Sequence, residues 1–271
     1  MRLSNIHFDP RLVFWQDYLS FLQHFAGRDF PTCDQLNALL PDGLNTANGQ
    51  AIRFVASSRC DDGAYEHRIY TSGQISTRTD NWHDLFNALV WMRFPHIKTA
   101  MNSLHFHAAK QAENGSRGPL RDALTLFDEC GVIVFSNNME SLHSLAQSRW
   151  TRVFQTDFFN ALAHPAICGH ALLEKYLSPY KAMTAKALLV YVGKDLLAAP
   201  RQEQLALLDR RIAEKLRLGK LLTVPACLAP LPLAGIPGWW TNDRQDEAFY
   251  DDPQVFRTPP ADRVPAPVLK L

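Results

Sequence analysis

Residues Asn81 to Lys98 read NWHDLFNALVWMRFPHIK, and this stretch decides the fold. Leu85, Ala88, Leu89 and Met92 recur at helical spacing and supply one apolar side. Asn81 can cap the free amide groups of a first turn. Asp84 follows three places on, in the carboxylate position of a capping-box-like start. Pro95 ends or kinks the helix. A second helix is expected from His96 to about Gln111, stopping in Asn114, Gly115, Ser116 and Gly118.

Upstream, Leu12, Trp15, Leu19, Leu22 and Phe25 recur at helical spacing, and a short helix follows Pro31. Ile52 to Val55 reads as a strand. A second strand is expected from Tyr65 to Ile75, with Asp61, Asp62 and Gly63 as the turn between them. Downstream, Ala123 to Phe127 and Val132 to Phe135 are β-prone around Asp128, Glu129, Cys130 and Gly131, which predicts a β-hairpin. Ser141 to Ala163 and Ile167 to Leu177 read as mostly helical, and Lys186 to Val192 is open between strand and helix. Gln202 to Leu218 is an amphipathic helix with Leu205, Leu208, Ile212 and Leu216 on one stripe. The expected class is α+β, mainly helical. One globular domain spans residues 1–257, with a small antiparallel β element and a proline-rich C-terminal arm at 221–257, before a flexible tail at 258–271.

With 28 Lys plus Arg against 27 Asp plus Glu and 46% apolar residues, the chain is too neutral and too apolar for a disordered charged protein. The same balance gives no bulk electrostatic case for nucleic acid. Cys33, Cys60, Cys130, Cys168 and Cys227 are odd in number and never at CxxC spacing, so reduced thiols in a cytoplasm are expected. Leu221 to Asn242 carries no charge and is long enough to cross a bilayer. It holds Pro225, Pro230, Pro232 and Pro237, and each interior proline costs a helix about 3 kcal/mol. A buried extended segment is expected there, and no membrane span.

Four constellations can carry chemistry. On the helix after Asn81, His83 and Asn87 share a face and Asp84 neighbours Asn87, giving a base or metal ligand, an anion and an orienting amide. Capping alone also accounts for Asp84. In GHALLEK, His170 and Glu174 lie four apart, a spacing that suits two metal ligands or a carboxylate orienting an imidazole; a solvent-facing pair is the plainer alternative. In RDALTLFDECG, Asp128 and Glu129 can present two carboxylates at a cleft, or simply solvate a turn, and Asp122 is expected to pair with Arg121. Trp239 and Trp240 can wall a ligand pocket or close the core. No Walker loop, GxGxxG or GxSxG elbow occurs.

The strings HDLFNALVWMRFPHIK, RDALTLFDECG, GHALLEKYL and PLPLAGIPGWW, followed by FYDDPQVFR, resemble the bacterial family called domain of unknown function 3025, from roughly Trp15 to Arg257. The resemblance implies a bacterial cytosolic protein and brings no activity, cofactor or catalytic residue with it.

The residues themselves support a hydrolase acting on a small anionic substrate, either metal-assisted or by His/carboxylate acid–base chemistry. His83, Asp84, Asn87, His170 and Glu174 form the expected catalytic set. Arg78, Lys98, Arg121, Trp239 and Trp240 would bind substrate. A divalent metal would draw on His83, Asp84, Asp128, His170 and Glu174. The rival reading is a binding or scaffold module in which the same groups are buried hydrogen-bond struts. The sequence leaves the oligomeric state open.

Overall fold

The computed structural model describes residues 13–25, 29–57, 65–111, 117–240 and 246–271. Helix α1 (Leu19–Phe25) buries Leu22 and Phe25, behind a 3-10 turn at Val13–Trp15; Leu12 lies outside the described residues. Helix α2 (Cys33–Asn37) opens on a capping box, in which Thr32 Oγ1 accepts from Gln35 N and Gln35 Oε1 accepts from Thr32 N.

Strand β1 (Arg53–Ala56), helix α3 (Tyr65–Ser72) and strand β2 (Gln74–Thr77) follow, and β1 pairs with β2 in parallel. The expected strand from Tyr65 is therefore a helix up to Ser72. Parallel neighbours cannot be joined by a tight turn, and here the crossover contains that helix. The expected turn at Asp61, Asp62 and Gly63 lies outside the described residues.

Helices α4 (Trp82–Arg93) and α5 (Pro95–Gln111) form as their pattern requires. The Asn81 side chain accepts from Asp84 N at 3.0 Å. Pro95 occupies the first helical position of α5, where its missing N–H is of no consequence. The stop expected for α5 at Asn114, Gly115 and Ser116 lies outside the described residues.

Gly118–Cys130 is helix α6, not the first arm of a hairpin. Ala123, Leu124 and Phe127 bury one helical face. Strand β3 (Gly131–Ser136) follows directly and is buried along its whole length. Helices α7 (Met139–Ala146) and α8 (Trp150–Arg152), a π-helical turn at Val153–Phe158 and strand β4 (His164–Ile167) lead to helix α9 (His170–Lys175). Strand β5 (Thr184–Tyr191) resolves the open segment as strand. Helices α10 (Lys194–Ala198) and α11 (Arg201–Arg217), strand β6 (Ala229–Pro232), helix α12 (Glu247–Tyr250) and strand β7 (Val268–Lys270) complete the chain.

The main sheet has five strands. β3 lies between antiparallel β4 and parallel β5; the far side of β5 pairs antiparallel with β6 and parallel with β7. The protein is mainly helical α+β, and its β element is this mixed sheet together with the small parallel pair. Pro230 and Pro232 are tolerated because β6 pairs on one side only. The tail expected to be flexible instead ends in β7, docked against Leu189, Val190 and Tyr191. Among the described residues no helix is long and apolar enough to cross a membrane.

Helix α11 is anchored to the start of α5. Its buried Asp209 accepts from His96 N at 3.0 Å and from Ile97 N at 2.8 Å, taking up free amides of the first turn of α5.

Candidate functional site

The site forms where β3 begins and β4 ends. The corner from α6 into β3 and the corner from β4 into α9 touch main chain to main chain. A Cβ on Gly169 would lie 2.4 Å from Gly131 N and 2.6 Å from Glu129 O, so only glycine fits there. Cys168 N and Gly169 N both donate to Gly131 O, at 2.9 and 2.8 Å. This contact brings the first residue of α9, His170, against the last turn of α6, which carries Asp128 and Glu129. Helix α4 adds His83 from its first turn.

His83 is the hub. Its Nδ1 lies 2.9 Å from Glu174 Oε2, and its Nε2 lies 3.0 Å from His170 Nε2. The two rings meet edge to face with centroids 4.5 Å apart. Glu129 Oε1 stands 3.8 Å from His170 Nε2. His83, Glu129 and His170 each offer one ligand atom, and the three lie within 4.8 Å of one another. His170 is almost wholly buried, while His83, Glu129 and Glu174 are part exposed, so the cluster has one open side.

The hydrogen bonds carry a tension. A carboxylate only accepts, so a neutral His83 ring carries its proton on Nδ1 toward Glu174 and leaves Nε2 bare. His170 must then donate from its own Nε2, which leaves its Nδ1 bare. That Nδ1 is buried with no well-formed hydrogen bond, 3.6 Å from Asp128 Oδ2 and beside the Asp128 main chain. A cation held by both Nε2 lone pairs removes the tension. The His170 proton then belongs on Nδ1, facing Asp128, as metal-bound histidines usually arrange. Two nitrogens each about 2.0–2.1 Å from one ion, at roughly 90–110°, stand about 2.9–3.4 Å apart. The observed separation falls in that range.

Burial pushes the His170 pKa down to about 4, which keeps the ring neutral, as a ligand must be. Burial alone would raise Asp128, but Lys98, with smaller help from His170 and His105, holds the carboxyl below its ordinary range. Glu129 is raised, by burial first and then by neighbouring Asp128.

Behind this cluster runs an interior chain of bonds. Lys98 Nζ donates to Asp128 Oδ1 at 2.5 Å and to Asn87 Oδ1 at 3.0 Å, and Asn87 Nδ2 donates to Tyr65 Oη at 2.8 Å.

The structure therefore brings together His83, His170, Glu174 and Asp128 of the expected set and separates others from it. Asp84 is taken up by Arg78, from the main-chain N at 2.6 Å, Nε at 3.0 Å and Nη2 at 2.8 Å; it ties down the helix start and is no ligand. Asn87 faces Lys98 and Tyr65, not His83. Lys98 is spent on an internal ion pair and cannot meet substrate. Arg121 has a buried Nε and does not pair with Asp122, which pairs with Arg117 at 3.5 Å. Trp239 packs into the core against Phe14 and Tyr176, and Trp240 packs partly buried on that core.

Glu129, which the sequence offers beside Asp128 as a cleft carboxylate but which the expected metal set leaves out, is the third member of the candidate cluster. Its signal lay in the helix. Two carboxylates and no basic residue end α6, where the helix dipole favours cations, so local stability does not account for them.

The chain belongs to the family described as "Protein of unknown function (DUF3025)", whose model matches residues 52–259, well over half of its length. No curated protein and no solved structure matches it.

Proposed function

We propose, with membership of that family as the premise, that this chain is a metal-assisted hydrolase whose divalent cation is held by His83, His170 and Glu129. The supporting observation is the convergence of two imidazole Nε2 atoms 3.0 Å apart, each ring having a carboxylate near its other nitrogen. Two histidines and one glutamate form a donor set used for catalytic zinc and for other first-row ions. The charges agree with a divalent ion. Lys98 already matches Asp128, which leaves Glu129 and Glu174 to be balanced.

When bound, such an ion would polarise the scissile group and bring the pKa of a bound water toward neutrality. Glu174 fixes the orientation of the His83 ring. Asp128 stands beside His170 Nδ1 to do the same there. Glu174, part exposed and outside the ligand set, is the carboxylate able to take a proton from attacking water on the open side. A small anionic substrate would reach the site through its charge on the ion. The near-neutral charge of the chain supports a small molecule over a nucleic acid, and the free thiols found among the described residues, at Cys33, Cys130, Cys168 and Cys227, fit a cytoplasmic setting.

One observation favours the scaffold reading. The run Tyr65–Asn87–Lys98–Asp128 is bonded end to end inside the protein, as a structural strut would be.

Elemental analysis and thermal melting with and without Zn2+ or Mn2+ separate the two. The hydrolase reading expects metal in the wild type, and folded His83→Ala and His170→Ala variants that lose it. A wild type that takes up neither ion, with His83→Ala lowering stability alone, leaves the scaffold.

A further inference from the structure

Lys98 lies in the first turn and a half of α5, away from the open side of the cluster, with its side chain 5% exposed. Its ammonium sits 5.4 Å from the centroid of the Trp91 ring and donates to two acceptors from different helices. Asn87 is locked by its two bonds, because its carbonyl oxygen accepts from Lys98 while its amide donates to Tyr65. Asp128 divides its two oxygens. Oδ1 is held by Lys98, and Oδ2 is thereby aimed at His170 Nδ1, 3.6 Å away. The Asp128 side chain is 19% exposed, so water gives it little alternative support.

We infer that Lys98 is the positioning residue of the metal centre, acting through Asp128 to present the His170 Nε2 lone pair to the ion. This rests on the metal-binding reading above. Nothing links Lys98 to the ion directly; the chain of action is Lys98 to Asp128 to His170. Removing the ammonium frees Asp128 to turn, and His170 loses the carboxylate oxygen that faces its Nδ1. Loss of such an outer partner typically weakens metal binding by about 10–100-fold.

A double-mutant cycle on Zn2+ affinity, measured by chelator competition, tests this. Lys98→Gln and Asp128→Asn are each expected to weaken Zn2+ binding by about 10–100-fold. The double variant is expected to bind within about threefold of Asp128→Asn alone, because Lys98 has no effect to exert once its intermediary is neutral. A Lys98→Gln protein that binds Zn2+ as the wild type does, or two penalties that multiply in full, overturns the inference while the metal reading stands. Should Lys98→Gln alone fail to fold, Asp128→Asn against the double variant carries the test, and a further tenfold weakening in the double overturns it. A wild type that does not bind Zn2+ or Mn2+ is the separate failure of the metal reading, and it takes this inference with it.

Discussion

Glu174 Oε2 rests 2.9 Å from Nδ1 of His83, although 91 residues separate the two in the chain. The same imidazole meets His170 on its other nitrogen, across 87 residues. The pair His170 and Glu174, one helical turn apart on α9, thus grips one ring from α4 at both of its nitrogens. That grip sets His83 Nε2 against His170 Nε2, with a Glu129 oxygen within 4.8 Å of a nitrogen of each ring.

The two glutamates are expected to behave differently. Glu129→Gln removes a proposed ligand and its charge, so Zn2+ affinity should fall by well over 100-fold. Glu174→Gln removes only the partner of His83 Nδ1–H, and a loss of about 10–100-fold is expected. Both variants should melt close to the wild type when Zn2+ is absent, because both carboxylates are part exposed. Isothermal titration with Zn2+ checks the ranking, and equal losses for the two would remove Glu129 from the ligand set.

Gly169→Ala tests how the site is assembled. The added methyl would meet main-chain atoms of Gly131 and Glu129 at 2.4 and 2.6 Å, and neither can move without shifting the α6–β3 corner. Overpacking of this kind costs about 1–3 kcal/mol or more. The displaced corner carries Glu129, and α9 carries His170, so metal affinity should fall together with Tm. A variant that melts lower yet binds Zn2+ unchanged would show that this contact serves stability alone.

Much of the scaffold was legible because α4, α5 and α11 carry long helical periods, and α4 has a capping residue at the right offset. His83, His170 and Glu174 were legible as a site because a four-residue helical spacing is a local property. What failed was non-local or ambiguous. Asp128-Glu129-Cys130-Gly131 has the composition of a turn, and its neighbours are β-prone, yet burial of Ala123, Leu124 and Phe127 on one helical face prevails. The segment at Tyr65 is short, and tertiary pairing of β1 with β2 decides it. Lys98 looked like an exposed substrate group because its partners, Asn87 and Asp128, lie on other helices. Nothing in the tail marks Val268–Lys270 as a sheet strand, since its pairing with β5 is wholly tertiary.

Trp239→Ala distinguishes a core residue from a pocket wall. The indole is 4% exposed and lies 6.0 Å from the Phe14 ring and 6.2 Å from that of Tyr176, centroid to centroid. Truncating a buried tryptophan costs about 3–5 kcal/mol. Differential scanning calorimetry should show Tm lowered by roughly 10 °C in a chain of this size. Zn2+ affinity at temperatures where the variant remains folded should not change. A normal Tm with altered ligand binding would restore Trp239 to the site.

The pH dependence of stability should report on Asp209. Burial pushes its pKa from the ordinary 3.8 up to about 7, against the opposing pull of the Ile97 and His96 amides. An acid whose folded pKa is raised holds its proton in the native state while the unfolded chain has lost it. Between pH 4 and pH 7 the native protein therefore binds more protons, and stability falls as pH rises. The contribution is full below the unfolded value and is lost as pH climbs through the folded one, on the order of a few kcal/mol in total. Asp209→Asn has nothing to titrate there, so its urea midpoint should lose this downward slope while keeping one acceptor for the α5 amides. Urea unfolding of both proteins at intervals from pH 4.5 to pH 8 checks the difference. Parallel curves would mean that the two main-chain donors keep the carboxylate ionised and that burial does not prevail.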